Sequence, residues 1–125
     1  MLVINYNGNK PISNYFKYGV EGNNNVDIIR FVLLKKQSQI DLSSYNKVSV
    51  KVRNDDSGFV EEIELDSDEN VVVSGNTLFV DWHLESKYTT QEQLEVSLCF
   101  TLESGVWQTQ LVKIKFSNGI VIEEE

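Results

Sequence analysis

From Leu94 to Phe116 apolar and polar side chains alternate through two facing runs, broken only by a Ser104-Gly105 turn. In the first run Leu94, Val96, Leu98, Phe100 and Leu102 share one face, and Glu95, Ser97, Cys99, Thr101 and Glu103 share the other. Strand side chains alternate with period 2, so the pattern predicts a half-buried antiparallel hairpin. The same period returns from Asn46 to Asn54, where Val48, Val50 and Val52 point in and Lys47, Ser49, Lys51 and Arg53 point out. It returns again from Thr77 to Glu85, with Leu78, Val80, Trp82 and Leu84 inward and Asp81, His83 and Glu85 outward.

Between these runs the chain is punctuated by turn signals. Leu2 to Tyr6 reads as a short strand that Asn7-Gly8-Asn9-Lys10-Pro11 breaks. Ile12 to Tyr18 reads as irregular chain or strand, and Gly22-Asn23-Asn24-Asn25 as a loop. Val26 to Leu34 is a dense apolar run, which predicts a strand covered on much of both faces. A polar connection, Lys35 to Asn46, contains Ile40-Asp41-Leu42-Ser43. Asp55-Asp56-Ser57-Gly58 predicts a hairpin turn into Phe59 to Leu65, where Glu61, Glu62 and Glu64 are expected to face water. Asp66 to Asn70 is an acidic turn, Val71 to Val73 a short strand, and Ser86 to Gln93 a candidate single turn of helix. Asn118-Gly119 is a second tight-turn signal, Ile120 to Ile122 a candidate edge strand, and Glu123-Glu124-Glu125 a charged tail.

No stretch carries a sustained 3.6-residue apolar period. The pattern therefore predicts an all-β fold, an immunoglobulin-like antiparallel β-sandwich of about seven to nine strands. Residues 1–125 are expected to form one domain, with 1–19 as an N-terminal arm or strand and 123–125 as the tail. The core is expected at Val50, Val52, Leu78, Val80, Trp82, Leu84, Val96, Leu98 and Phe100.

Composition narrows the partners. A chain of 125 residues is long enough to bury one core without a staple. The formal net charge of -8 repels a phosphate backbone and an anionic membrane surface, so neither nucleic acid nor membrane is an expected partner. Cys99 is the only cysteine, so no intrachain disulfide can form and a reducing compartment fits. The N-terminal Met1-Leu2-Val3-Ile4-Asn5 does not read as a signal peptide.

Candidate chemistry is sparse. Asp66-Ser67-Asp68-Glu69-Asn70 opens like a calcium loop, but Val71 and Thr77 occupy the positions where an EF-hand needs Gly and Glu. Glu61, Glu62, Glu64 and Asp66 follow one another along one strand rather than converging across a cleft, as an acid/base pair must. His83, the only histidine, has no Cys or His at metal-ligand spacing and reads as a surface or edge residue. Cys99 reads as a structural thiol. No catalytic residue, cofactor or metal ligand is expected. Tyr6, Tyr15, Phe16 and Tyr18 crowd the N-terminal segment and form the candidate interface, because aromatic rings give large contact area with a polar tip. The competing expectation is that they pack over the core.

Several signals in one order carry a family resemblance. They are Gly22-Asn23-Asn24-Asn25-Val26 before an apolar strand, Ile40-Asp41-Leu42-Ser43, and Val48-Ser49-Val50-Lys51-Val52. Trp82-His83-Leu84 with Thr89-Thr90 follows, then Leu94-Glu95-Val96-Ser97-Leu98-Cys99-Phe100 and Trp107-Gln108-Thr109. In combination, from Val20 to Ile122, the chain resembles the β-sandwich domains of tail and baseplate proteins from phages and prophages of Gram-positive bacteria. It is most similar in kind to the N-terminal domain of baseplate upper proteins. One departure is Lys35-Lys36-Gln37-Ser38-Gln39, where relatives tend to carry an aromatic, Asp-Gly-containing segment. The resemblance implies a non-enzymatic virion module, assembled in the bacterial cytoplasm, that docks a receptor-binding or fibre component. Its implied partners are other tail or baseplate proteins, with a homo-oligomer as an option, and it carries over no catalytic site. A carbohydrate-binding sandwich that uses exposed aromatics is the alternative.

Overall fold

The computed structural model describes residues 1–119; the expected edge strand at Ile120 to Ile122 and the tail Glu123 to Glu125 lie outside the described residues. In chain order the first half contains β1 (Leu2–Asn7), β2 (Lys10–Pro11), β3 (Tyr15–Val20), β4 (Ile28–Leu34), β5 (Lys36–Gln37) and β6 (Ile40–Asp41). A 3-10 turn at Leu42–Ser44 leads to β7 (Lys47–Asn54), β8 (Phe59–Glu64), the helical turn α1 (Ser67–Asn70) and β9 (Val71–Ser74). The chain then runs through β10 (Thr77–His83), the helical turn α2 (Ser86–Thr89), β11 (Gln93–Leu102), β12 (Gly105–Gln108) and β13 (Val112–Ser117).

The strands build two main sheets. The first has the order β2-β1-β4-β10-β9, and the second β3-β13-β11-β7-β8 with β12 beside β11. The all-β sandwich expected from the alternation is the fold. Every core position named from the pattern is buried, from Val50 and Val52 through Leu78, Val80, Trp82 and Leu84 to Val96, Leu98 and Phe100. Ile4, Ile29, Phe31 and Leu33 from the first sheet, and Leu94, Val112, Ile114 and Phe116 from the second, join the cluster.

Two features depart from a plain antiparallel sandwich of seven to nine strands. Two joins are parallel: β1 pairs β4, and β13 pairs β3. Parallel neighbours need long connections, and the chain supplies them by leaving the first sheet after β2, entering the second as β3, and returning as β4. The expected N-terminal arm is thus woven into both sheets. The strand count rises to thirteen because β2, β5 and β6 are two-residue pairings and the last long run is split.

That split is a bulge. Cys99 faces Gln108 and Val96 faces Val112, so Thr109, Gln110 and Leu111 stand opposite only Ser97 and Leu98. The extra residue shifts the alternation: Trp107 packs toward Phe100 before it, and Val112, Ile114 and Phe116 point inward after it. Thr109 stitches the gap, its amide donating to Leu98 O at 2.9 Å and its hydroxyl accepting from Leu98 N at 2.9 Å. Ser97 Oγ donates to Thr109 O at 2.7 Å, and Gln110 N donates to Asn9 O, in the turn between β1 and β2, at 2.8 Å.

One further expectation is corrected. β11 is not half-buried: Ser97 and Cys99 are buried on its outer side as well, because the strand lies mid-sheet and both side chains are small. β4 is covered on much of both faces, as expected, with Ile29, Phe31 and Leu33 buried and Ile28, Arg30 and Val32 on its outer side half-buried. On that outer side the Arg30 guanidinium donates to both Asp81 carboxylate oxygens, at 2.7 and 2.9 Å, and lies 5.5 Å from the Phe79 ring centre.

Candidate interaction surface

The four N-terminal aromatics are separated by the weave. Tyr6 lies on β1 of the first sheet, with its ring 6.4 Å from Phe31. Phe16 and Tyr18 lie on β3 of the second sheet and pack against the core. The Tyr18 hydroxyl accepts from Ile28 N at 3.1 Å, which ties β3 to β4 across the sheets. Only Tyr15, opposite Lys113, points outward, with 45% of its surface exposed. The rings therefore form no single patch; Tyr15 alone remains presented to a partner.

The carboxylates expected in water divide. Glu61 sits between Phe59 and Ile63 on the inward face of β8, where α2 meets it. Its Oε1 accepts from Lys87 Nζ at 2.9 Å and from the Tyr88 hydroxyl at 2.8 Å. Those bonds, the lysine's first, hold the Glu61 carboxyl below its ordinary range. Burial, followed by the bond to Glu61, pushes the Tyr88 hydroxyl up to about 12. A polar residue in phase with Phe59 and Ile63 was the sequence signal for this contact. Glu62 and Glu64 point outward and are exposed, as expected. Asp66 caps α1, its Oδ1 accepting from Asp68 N at 3.0 Å. The calcium-like segment is thus a capped helical turn.

Among the described residues, no three His, Cys, Asp or Glu side chains stand together as metal ligands. His83 is exposed at the end of β10, and Cys99 is buried in β11. No described helix is long and apolar enough to cross a membrane.

The outer face of the second sheet carries a groove of about 570 Å³. Lys51, Arg53, Val60, Glu62, Glu95 and Leu111 are among its lining residues. Its charges are paired across strands, Arg53 Nη2 with Glu95 Oε2 at 3.2 Å and Lys51 Nζ with Glu62 Oε2 at 3.9 Å. Two of its apolar members are bare: Val60 is 76% exposed and Leu111 42%. The sequence placed both in strand runs but had no means of bringing them to one groove. Leu111 reaches it through the bulge, which reverses the facing of its neighbours.

No protein-family model matches this chain, and no curated protein matches it.

Proposed function

We propose that this chain is a non-enzymatic docking module of a phage virion, a tail or baseplate adaptor that holds a receptor-binding or fibre component. The observation that carries the docking part is the groove on the second sheet, where bare Val60 and Leu111 stand among charges already paired. An apolar centre within a polar rim suits a protein partner, because the centre supplies burial and the rim sets register. The tail setting rests on the resemblance carried by the ordered motifs from Gly22 to Thr109. The carbohydrate alternative asks for an exposed aromatic platform, and Tyr6, Phe16 and Tyr18 are engaged by the core instead.

Co-expression with tail and baseplate proteins of phages of Gram-positive bacteria tests the reading. The wild-type chain should co-purify with one of them. Val60→Asp with Leu111→Asp should weaken that capture at least tenfold, in line with the ~2 kcal/mol or more of an interface anchor, while leaving the melting temperature nearly unchanged. Capture that survives both substitutions would overturn this surface. Saturable binding to a glycan array, with no protein captured, would favour the carbohydrate alternative.

A further inference from the structure

The two ends of the second sheet carry opposite charge. At one end β3 pairs only with β13, so its other edge has no strand beside it among the described residues. Lys17 and Lys115 face each other across this pair, next to Lys113 opposite Tyr15. Lys17 and Lys115 are exposed, and none of these three lysines makes an ion pair among the described residues. At the other end β8 pairs only with β7. Its outward residues are Val60, Glu62 and Glu64, and Asp66, Asp68 and Glu69 follow in the turn toward β9. The nearby Lys47 and Lys51 are both engaged by Glu62, at 3.1 and 3.9 Å. Glu64, Asp66, Asp68 and Glu69 have no cation partner among the described residues.

An unpaired strand edge is a row of unused amides and carbonyls, ready to accept another strand. Charge decides which strand. Two β3 edges would set lysine against lysine, and two β8 edges would set glutamate against glutamate. Like charges directly opposite each other destabilise a strand pair, and opposite charges stabilise it. The attractive combination is β3 against β8. Outward residues recur every second position, so Lys17 can stand opposite Glu62 or Glu64 whichever way the strands run.

We propose that copies of this chain associate head to tail, the β3 edge of one copy adding to the β8 edge of the next and continuing the second sheet. Such a contact uses two different surfaces, so it closes into a ring or extends as a filament rather than stopping at a dimer. The proposal stands on edge charge and geometry, and does not depend on the tail reading. The competing role for the same charges is protection, since lysine on an edge strand also deters pairing.

Sedimentation velocity on the full chain separates the two. A small edge contact predicts association in the upper micromolar range in about 50 mM salt, weakened at least tenfold in about 500 mM salt. Lys17→Glu with Lys115→Glu puts acidic side chains outward at both edges of the sheet, and Glu62→Lys with Glu64→Lys puts basic side chains outward on both edge strands. Each variant alone should stay monomeric, while an equimolar mixture of the two should assemble. Thermal melts confirm that each variant is folded. As a second measurement, backbone amides on the free edges of β3 and β8 in the wild-type chain should exchange more slowly as concentration rises. A wild-type chain that stays monomeric at about 1 mM in low salt, with no such protection, would overturn the proposal and assign the charges to edge protection. So would assembly that neither charge reversal disturbs, or a mixture that stays monomeric.

Discussion

The Tyr88 hydroxyl donates to Glu61 Oε1 at 2.8 Å, joining the helical turn that follows the first sheet to the outermost strand of the second. The ring is buried, 5.3 Å from Trp82 and 6.2 Å from Phe59, so the bond fixes a side chain that closes one flank of the core. Tyr88→Phe keeps the ring and removes the donor, and should cost about 1 to 2 kcal/mol in urea unfolding.

The same contact gives stability a pH dependence. Glu61 is held below its ordinary value near 4.5, so its contribution is complete above about pH 4.5 and is lost as pH falls through the lower folded value. Tyr88 titrates above its ordinary value of 10.0, at about 12, so its contribution is complete below about pH 10 and is lost as pH rises toward 12. Glu61→Gln should flatten the acid side of a urea-midpoint profile below about pH 4.5. An unchanged acid slope would mean that other carboxylates control it.

Trp82 is 2% exposed and packs against Tyr88. Trp82→Ala should cost roughly 3 to 5 kcal/mol through the cavity left between the sheets, read as a large fall in thermal midpoint.

At the bulge Thr109 replaces a regular strand pairing with a side-chain bond. Thr109→Val keeps the shape but strands the buried Leu98 amide, whose acceptor is the Thr109 hydroxyl at 2.9 Å. The expected loss is about 1 to 3 kcal/mol, with faster exchange at the Leu98 amide as the local readout.

Gly19 absorbs a register shift in β3, where Lys115 faces Lys17 but Ser117 faces Val20. Its φ is +79°, and an added Cβ would lie 3.0 Å from Asp27 Oδ2 and 3.2 Å from Phe116 Cδ1. Gly19→Ala should destabilise by about 1 to 3 kcal/mol, from backbone strain and crowding together.

The sandwich core was legible because inward positions on β7, β10 and β11 repeat with period 2 and nothing interrupts them. Pairing partners were not. Alternation says which face a residue takes, and it carries no record of which strand lies beside it, so the parallel joins β1–β4 and β13–β3 were invisible. The bulge at Thr109 left a trace, since Trp107 and Val112 are both apolar but five positions apart, out of phase for one strand. The surface was hardest to read. Clustering in sequence suggested that Tyr6, Tyr15, Phe16 and Tyr18 shared one patch, whereas β1 and β3 belong to different sheets. The groove of Val60 and Leu111 joins residues far apart in the chain through a register shift that pattern alone does not locate.

The pairing of β3 with β13 also governs when the molecule can finish folding. The strand that opens the second sheet finds its only described neighbour in the last described strand, across nearly the whole sequence. Contacts so distant close late and slowly, because a long loop of chain must be immobilised before they form. During synthesis, the Tyr15–Val20 segment waits without this neighbour until Val112–Ser117 has been made. Through that interval Phe16 and Tyr18 lack the packing that β13 later provides, which leaves this strand open to capture by chaperones or by another unfinished copy.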